Sequence, residues 1–449
     1  MTKVIFAQAA LLPDGWADDV RITLDGPTLT SVQPGAKAEP MDERVATLIP
    51  GLSNLHSHAF QRGMAALAEC RGPSADSFWT WRDMMYRFAL GLSPEGMQAI
   101  AEMAYVEMLE AGFTRVGEFH YLHHDRDGRP FADPAEMSMR ILAAATETGI
   151  NLTHLPVFYA HSDFGGAAPT EGQRRFLHDL DGFMRLTERM KGALTRPLDR
   201  LGIAPHSLRA VTGPELDALR LAHGEGPIHI HISEQLREVK DCLSYCGQRP
   251  VDWLLAHQPV DERWCLIHAT HLETPERKGI VATGAVVGLC PITEANLGDG
   301  LFPAVDYLSE NGRIGIGTDS NIEITAAGEL RLLEYGQRLL HRKRNLLAGG
   351  EGSTGEALLR ASLSGGAQAL GAPPPKIEIG APADLVALED AATLPPSYPH
   401  GIDRWIFGRD VAVTSLWAAG TQVVRSGQHI HRARVEENYR QALREVLNF

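Results

Sequence analysis

The stretch "LIPGLSNLHSHAF", Leu48 to Phe60, sends an apolar run into a Pro-Gly turn and out to two histidines separated by one residue, His56 and His58. In extended chain, residues i and i+2 share a face, so the two imidazoles point the same way. Similar apolar, β-branched runs recur downstream: "TRVGEFH", "INLTHLPVFY", "LGIAPHS", "IHIHISE", "WCLIHAT", "AVVGLCP" and "IGIGTDS". Near-continuous apolar runs suit strands buried on both faces of a parallel sheet. Helix punctuation lies between them. "SPEGMQAIAEMAYVEMLEAG" starts with Ser93 as N-cap and Pro94 in the first turn, and closes at Gly112. "DPAEMSMRILAAATETG" offers Asp133, Pro134 and Glu136 and closes at Gly149; Thr274, Pro275 and Glu276 repeat the device. A further helical pattern runs from about Gly355 to Leu370. Eight strand-helix units in series predict an α/β fold, a (β/α)8 TIM barrel, in preference to an open doubly wound sheet.

The two chain ends read differently. Residues 3 to about 47 give short strands and turns, and strands return after "GAPPP" in "ADLVAL" and "VAVTSLWAAGTQVVRSGQHI". Neither end carries enough apolar residues for its own core, so together they are expected to build a small β-sandwich domain. The expected division is 1–47 for its N-terminal part, 48–375 for the barrel and 376–449 for its C-terminal part.

Composition narrows the function. The 449 residues are 44% hydrophobic and 22% charged, which permits a substantial core. Net charge is -14 with no long basic run, which argues against a nucleic-acid partner. No apolar run approaches a membrane span, and the start lacks a signal-peptide layout, so a cytoplasmic location is expected. The five scattered cysteines read as reduced thiols; Cys242 and Cys246 share one helix face.

Barrel enzymes place their reactive groups at the C-terminal ends of the strands. Here strand one ends in His56 and His58, and strand two in Glu118 and His120, followed by Tyr121. Strand four ends in His206, strand five carries His229 and His231 and then Glu234, strand six ends in His268, and strand eight in Asp319. Each has a plain alternative: a hydrogen-bonded core histidine, a helix-capping aspartate, a first-turn glutamate. What sets them apart is the joint pattern of H-x-H, H-x-x-E, His and Asp, each at its own strand end.

With these motifs, "PGLSNLHSH", "HISE", "LIHAT" and "GTDS", the chain resembles the amidohydrolase superfamily, and "IGAPADLVAL" resembles that family's return into its small β domain. The resemblance implies a distorted (β/α)8 barrel with metal at its mouth. Binuclear members bridge two metals with a lysine on strand four; this chain has no lysine between Lys37 and Lys191. The H-x-x-E instead looks like the mononuclear deaminase branch. The resemblance therefore implies one divalent metal on His56, His58, His231 and Asp319, with His229 as the alternative to His231. Zinc suits imidazole plus carboxylate best, with iron and manganese also compatible with the ligand types. Such a metal lowers the pKa of its water from about 15.7 toward neutrality and supplies hydroxide. Asp319 would accept the water proton, His268 would orient the hydroxide and stabilise developing charge, and Glu234 would shuttle a proton to a substrate nitrogen.

The stretches "NLHSHAFQRGMAALAE", "SFWTWRDMMYR", "GEFHYLHH" and "APHSLRAV" resemble the N-formimino-L-glutamate deiminase family within that superfamily. This implies hydrolysis of a linear amidine to N-formyl-L-glutamate and ammonia, a step of histidine degradation, by a homodimer. By resemblance, Gln61, Arg82, Tyr121, His206 and Arg209 bind the substrate. Two arginines answer two substrate carboxylates. Trp79 and Trp81 are expected to pack or to form a lid, and His120, His123 and His124 to serve loop structure. A ring deaminase acting on guanine, cytosine or a modified adenosine is the alternative; it would keep the metal site and dispense with the arginines. An inactive barrel used for binding would have lost metal ligands, which this chain retains.

Overall fold

The structure is a computed structural model and describes residues 2–70, 77–390 and 401–447. The barrel strands, in chain order, are β1 (Leu52–Ser57), β2 (Phe113–His120), β3 (Asn151–Phe158), a broken β4 (Arg200–Leu201 with Ala204–Pro205), β5 (Ile228–Ile232), β6 (Trp264–His268), β7 (Val286–Leu289) and β8 (Arg313–Ile316). Every neighbouring pair is parallel. β1–β4 form one ladder and β5–β8 another. Single bridges close the ring: Ile203 to Ile228 and Ser207 to His231 on one side, Ser57 to Asp319 on the other. The two seams are where the barrel is distorted, and both run beside the histidines of the H-x-H and H-x-x-E motifs.

The apolar runs form strands because both faces are covered. In β2 and β3 every residue is buried. Leu55, Cys265, Ile267 and Val286 pack against Ala369 and Leu370 at the base of the barrel. Each fully buried aliphatic side chain of this kind contributes ~1.5–3 kcal/mol. The helix Thr354–Ala369 crosses so close to β8 that a Cβ on Gly365 would lie 1.9 Å from the Ile314 carbonyl oxygen.

The two chain ends meet in one eight-stranded mixed sheet, in the order Gln428–His429, Thr421–Arg425, Val411–Ala418, Leu385–Asp390, Glu43–Pro50, Lys3–Leu12, Gly15–Asp25, Thr28–Gln33. It folds back on itself. Leu29 at its outer edge exchanges backbone hydrogen bonds with Gly380 and Ala381, enclosing Ile5, Val20, Ile22, Leu24, Leu385 and Trp417.

Local differences from the sequence reading have physical causes. The single run from Val45 divides into two strands, Glu43–Pro50 in the terminal sheet and β1 in the barrel, because the Pro50-Gly51 pair breaks the ladder between them. Ser93 caps its helix as expected, accepting from the Gly96 amide. The helix Thr274–Thr283 is capped one residue earlier, by Glu273 in a box with Glu276. Asp133 sits outside the helix Glu136–Thr148 and accepts from the Ala135 amide. The C-terminal end also holds a helix, Arg432–Leu447, whose Val435 and Tyr439 pack on Met103 and Val106 of the helix Pro94–Glu110. Its Val435, Tyr439, Ala442, Val446 spacing is helical rather than alternating.

Candidate active site

At the C-terminal mouth of the barrel, one ligand atom from each of His56, His58, His231 and Asp319 lies within 4.8 Å of the others, and all four residues are buried. Asp319 Oδ1 is 3.4 Å from His56 Nε2 and 3.2 Å from His58 Nε2. The His231 and His56 Nε2 atoms face each other at 3.1 Å. Backbone carbonyls orient two of these rings: His58 Nδ1 donates to Phe119 O at 2.9 Å and His231 Nδ1 to His206 O at 3.1 Å. That leaves the Nε2 lone pairs converging on one point. His229, two residues earlier on β5, instead donates to Ala369 O at 2.7 Å in the barrel interior. The structure thus brings His231, and not His229, to the cluster.

Electrostatics prepare the same point. Burial pushes His56 down to about 3 and lowers His58 and His231 as well, so the three imidazoles are neutral. Burial works against the Asp319 carboxylate, but the hydrogen bond to His56 and the nearby imidazoles hold it ionised, below the usual carboxylate range. Three neutral imidazoles and an anion, packed together with few protons to share, are what a buried cation satisfies. The donor set therefore fits one divalent metal.

His268 and Glu234 stand beside this cluster. His268 Nε2 lies 3.7 Å from Glu234 Oε1 and 3.7 Å from Asp319 Oδ2, and its Nδ1 is 3.2 Å from Glu294 Oε1. Burial opposes charge on His268, but Glu234, Glu294 and Asp319 outweigh it and push it up to about 10. Burial, partly offset by His268, pushes Glu234 up to about 7. The backbone is turned sharply here: Ser233, His268 and Asp319 have φ of 52°, 67° and 43°. Left-handed backbone at non-glycine residues costs about 1–3 kcal/mol each and aims these side chains across the mouth. Asn321 and Asn54 secure the β1–β8 seam. Asn321 Nδ2 donates to Ser57 Oγ and to the His58 carbonyl, and Asn54 Nδ2 donates to Thr318 Oγ1.

A cavity opens from the cluster and is lined by all five residues assigned to substrate: Gln61, Arg82, Tyr121, His206 and Arg209. Gln61 Nε2 donates to the Tyr121 hydroxyl at 2.8 Å, and its Oε1 has no partner. The His206 ring lies 4.9 Å from His231 and 4.5 Å from Tyr159, so it bridges the histidine cluster and the arginine end. The buried Nε atoms of Arg82 and Arg209 have no hydrogen-bond partner, and neither guanidinium is paired with a carboxylate among the described residues. Both lean on Trp79, at 4.5 and 5.8 Å from its ring centroid. Trp79 thus positions the two guanidiniums, a role its reading as packing or lid did not include, while Trp81 lines the cavity.

Some site residues had no signal in the sequence reading. Tyr86 and Tyr159 line the arginine end. Glu238 accepts from the Ser233 and Glu234 amides and fixes the turn after β5. Glu294, one helical turn past Cys290, holds His268; only its place after the seventh strand end could have drawn attention to it. His120, His123 and His124 are buried with His154 and His178 behind the mouth, where His123 Nε2 donates to Val157 O and His124 Nε2 to Leu177 O.

A barrel of this form with an H-x-H, His, Asp cluster defines a class of metal hydrolases, and sequence comparison agrees. The amidohydrolase family pattern matches residues 47–423, and that of the formimidoylglutamate deiminase HutF N-terminal domain matches residues 2–46. The chain belongs to the amidohydrolase family. It is 48% identical to the formimidoylglutamate deiminase of Pseudomonas aeruginosa, over 99% of this chain and 100% of that protein. Among solved structures, an amidohydrolase from Brucella melitensis superposes with a TM-score of 0.96 at 53% identity, covering 99% of this chain and 100% of that one. A Xanthomonas campestris adenosine deaminase with bound zinc shares the fold, with a TM-score of 0.81 at 23% identity over 99% of this chain and 98% of that one.

Proposed function

We propose that this protein holds one zinc ion on His56, His58, His231 and Asp319 and hydrolyses N-formimino-L-glutamate to N-formyl-L-glutamate and ammonia. The observation that carries the reading is the pair of guanidiniums, half-buried Arg82 and buried Arg209, whose buried Nε atoms lack partners and which share one cavity with the histidine-aspartate cluster. Guanidinium nitrogens held out of water without partners are costly unless an acceptor enters the cavity, and a substrate with two carboxylates supplies one for each arginine. Full-length identity to a formimidoylglutamate deiminase supports the same substrate.

A zinc ion held by His56, His58, His231 and Asp319 would supply a hydroxide nucleophile at neutral pH. The chain's own residues do the rest. Asp319, ionised and adjacent, accepts the proton that water gives up. His268, held cationic by three carboxylates, stabilises negative charge as the amidine carbon becomes tetrahedral. Glu234, poised near neutrality, takes up a proton and delivers it to the departing nitrogen, so that ammonia leaves rather than amide anion. Gln61 and Tyr121, hydrogen-bonded to each other, and His206 present polar groups along the cavity wall between the two ends.

The test is ammonia release by the zinc-loaded protein from N-formimino-L-glutamate, with guanine, cytosine and N-formimino-L-aspartate in parallel. Turnover of the glutamate compound alone is expected. Turnover of a ring in its place would keep the metal site and overturn the substrate.

A further inference from the structure

A second donor cluster lies against the first. One ligand atom from each of His268, Cys290 and Asp319 lies within 4.8 Å of the other two, and all three residues are buried. Cys290 directly follows β7, and nothing in the reaction above uses its thiol. The two oxygens of Asp319 face different ways: Oδ1 toward His56 and His58, Oδ2 toward His268. A carboxylate so placed can bridge two cations. His268 Nε2 is wholly buried and lacks a hydrogen-bond partner, and its ring is held by Glu294 at Nδ1. Glu294 Oε1 also accepts from the Cys290 backbone amide at 2.9 Å, so one carboxylate fixes both the imidazole and the thiol-bearing residue.

Imidazole, thiol and carboxylate together favour a thiophilic borderline ion over a hard one. We propose that His268, Cys290 and Asp319 form a second, inhibitory cation site that takes a thiophilic divalent ion, cadmium or excess zinc. Binding ionises the Cys290 thiol and takes the Nε2 proton from the His268 imidazolium; both protons pass to solvent, and the thiolate and the neutral imidazole ligate the ion. Occupancy inhibits because His268 and Asp319 then serve the second ion. His268 no longer stabilises charge on the substrate, and Asp319 no longer accepts the water proton. The proposal rests on the reading above in that Asp319 is shared and that His268 and Asp319 serve the reaction.

The experiment titrates cadmium into protein carrying one zinc per chain, following metal stoichiometry, near-ultraviolet thiolate-to-cadmium charge-transfer absorption, and ammonia release. Wild type is expected to bind one additional ion per chain, gain the absorption band and lose activity in parallel. Cys290→Ser is expected to keep the first metal and its turnover, lose the band, and need at least roughly tenfold more cadmium for the same inhibition. Cys290→Ala serves if the serine variant does not fold, and Cys242→Ser should behave as wild type. Unchanged inhibition and an unchanged band in the Cys290 variants would overturn the second site. Absence of any bound metal in wild type after zinc loading would instead overturn the primary site, so the two failures are distinguishable.

Discussion

At the scale of single residues, the site separates functions that mutation can tell apart. Glu234 touches neither the arginines nor the metal-binding nitrogens in any hydrogen bond, yet it sits beside His268. Glu234→Gln keeps size and one hydrogen-bond face and removes the transferable proton. Turnover is expected to fall about 10²–10⁴-fold with metal content unchanged, measured as kcat beside zinc analysis. Near-normal kcat would remove Glu234 from the proton path. Arg82→Ala and Arg209→Ala act differently. Each deletes a charge-assisted contact worth about 1.5–3 kcal/mol, so kcat/KM for the two-carboxylate substrate should drop by roughly ten- to a hundredfold. A substrate lacking one carboxylate should lose much less in one of the two variants, which identifies the arginine that holds it. Such residues were only partly legible in the sequence. Strand-end histidines announce themselves by spacing, but Arg82 lies on the helix Phe78–Gly91, where spacing alone reads as solvent-facing surface, and resemblance was needed to single it out. Glu238 and Glu294 were silent because an acid near a helix start has an ordinary role everywhere.

At the scale of elements, the mouth geometry depends on how tightly the last helix grips β8. Gly365→Ala would put a methyl 1.9 Å from the Ile314 carbonyl oxygen, so either helix or strand must move. Overpacking of this kind costs about 1–3 kcal/mol or more, and both the melting temperature and metal affinity should fall, since β8 leads directly into Asp319. Gly192, in the helix Leu180–Ala193, has nothing within 4 Å of its would-be Cβ. Gly192→Ala should therefore stabilise by about 0.5–1 kcal/mol in the same melting assay. The contrast tests packing rather than glycine content. Elements were the most legible level. Apolar runs bounded by Pro, Gly and capping residues mark strands and helices locally. The broken β4 was not visible, because "LGIAPHS" is apolar enough for a strand; its neighbours decide which residues pair. The helix Arg432–Leu447 is hard to read in the sequence because strand signals precede it and its polar residues hide a narrow apolar stripe.

At the scale of the whole molecule, the site is also a clasp. It joins β1, β5 and β8 exactly where the two ladders of the barrel are held by single bridges. A cation bound there stabilises the folded state by mass action, about 2.7 kcal/mol when free metal is a hundredfold above Kd. Removing metal with a chelator should lower the melting temperature, and zinc should restore it; unchanged melting would mean that no metal joins the seams. By itself the sequence determined the strand-helix alternation and the barrel class, because periodicity and turn chemistry are local properties, and it offered His56, His58 and Asp319 as metal donors only through their resemblance to a family. Only the tertiary structure decided that His231 rather than His229 turns to the cluster, and that Asp319 offers each oxygen to a different neighbour. It also decided that Arg82 and Arg209 meet over Trp79. These depend on positive-φ turns and on ring closure between strands far apart in the chain, which no local window contains.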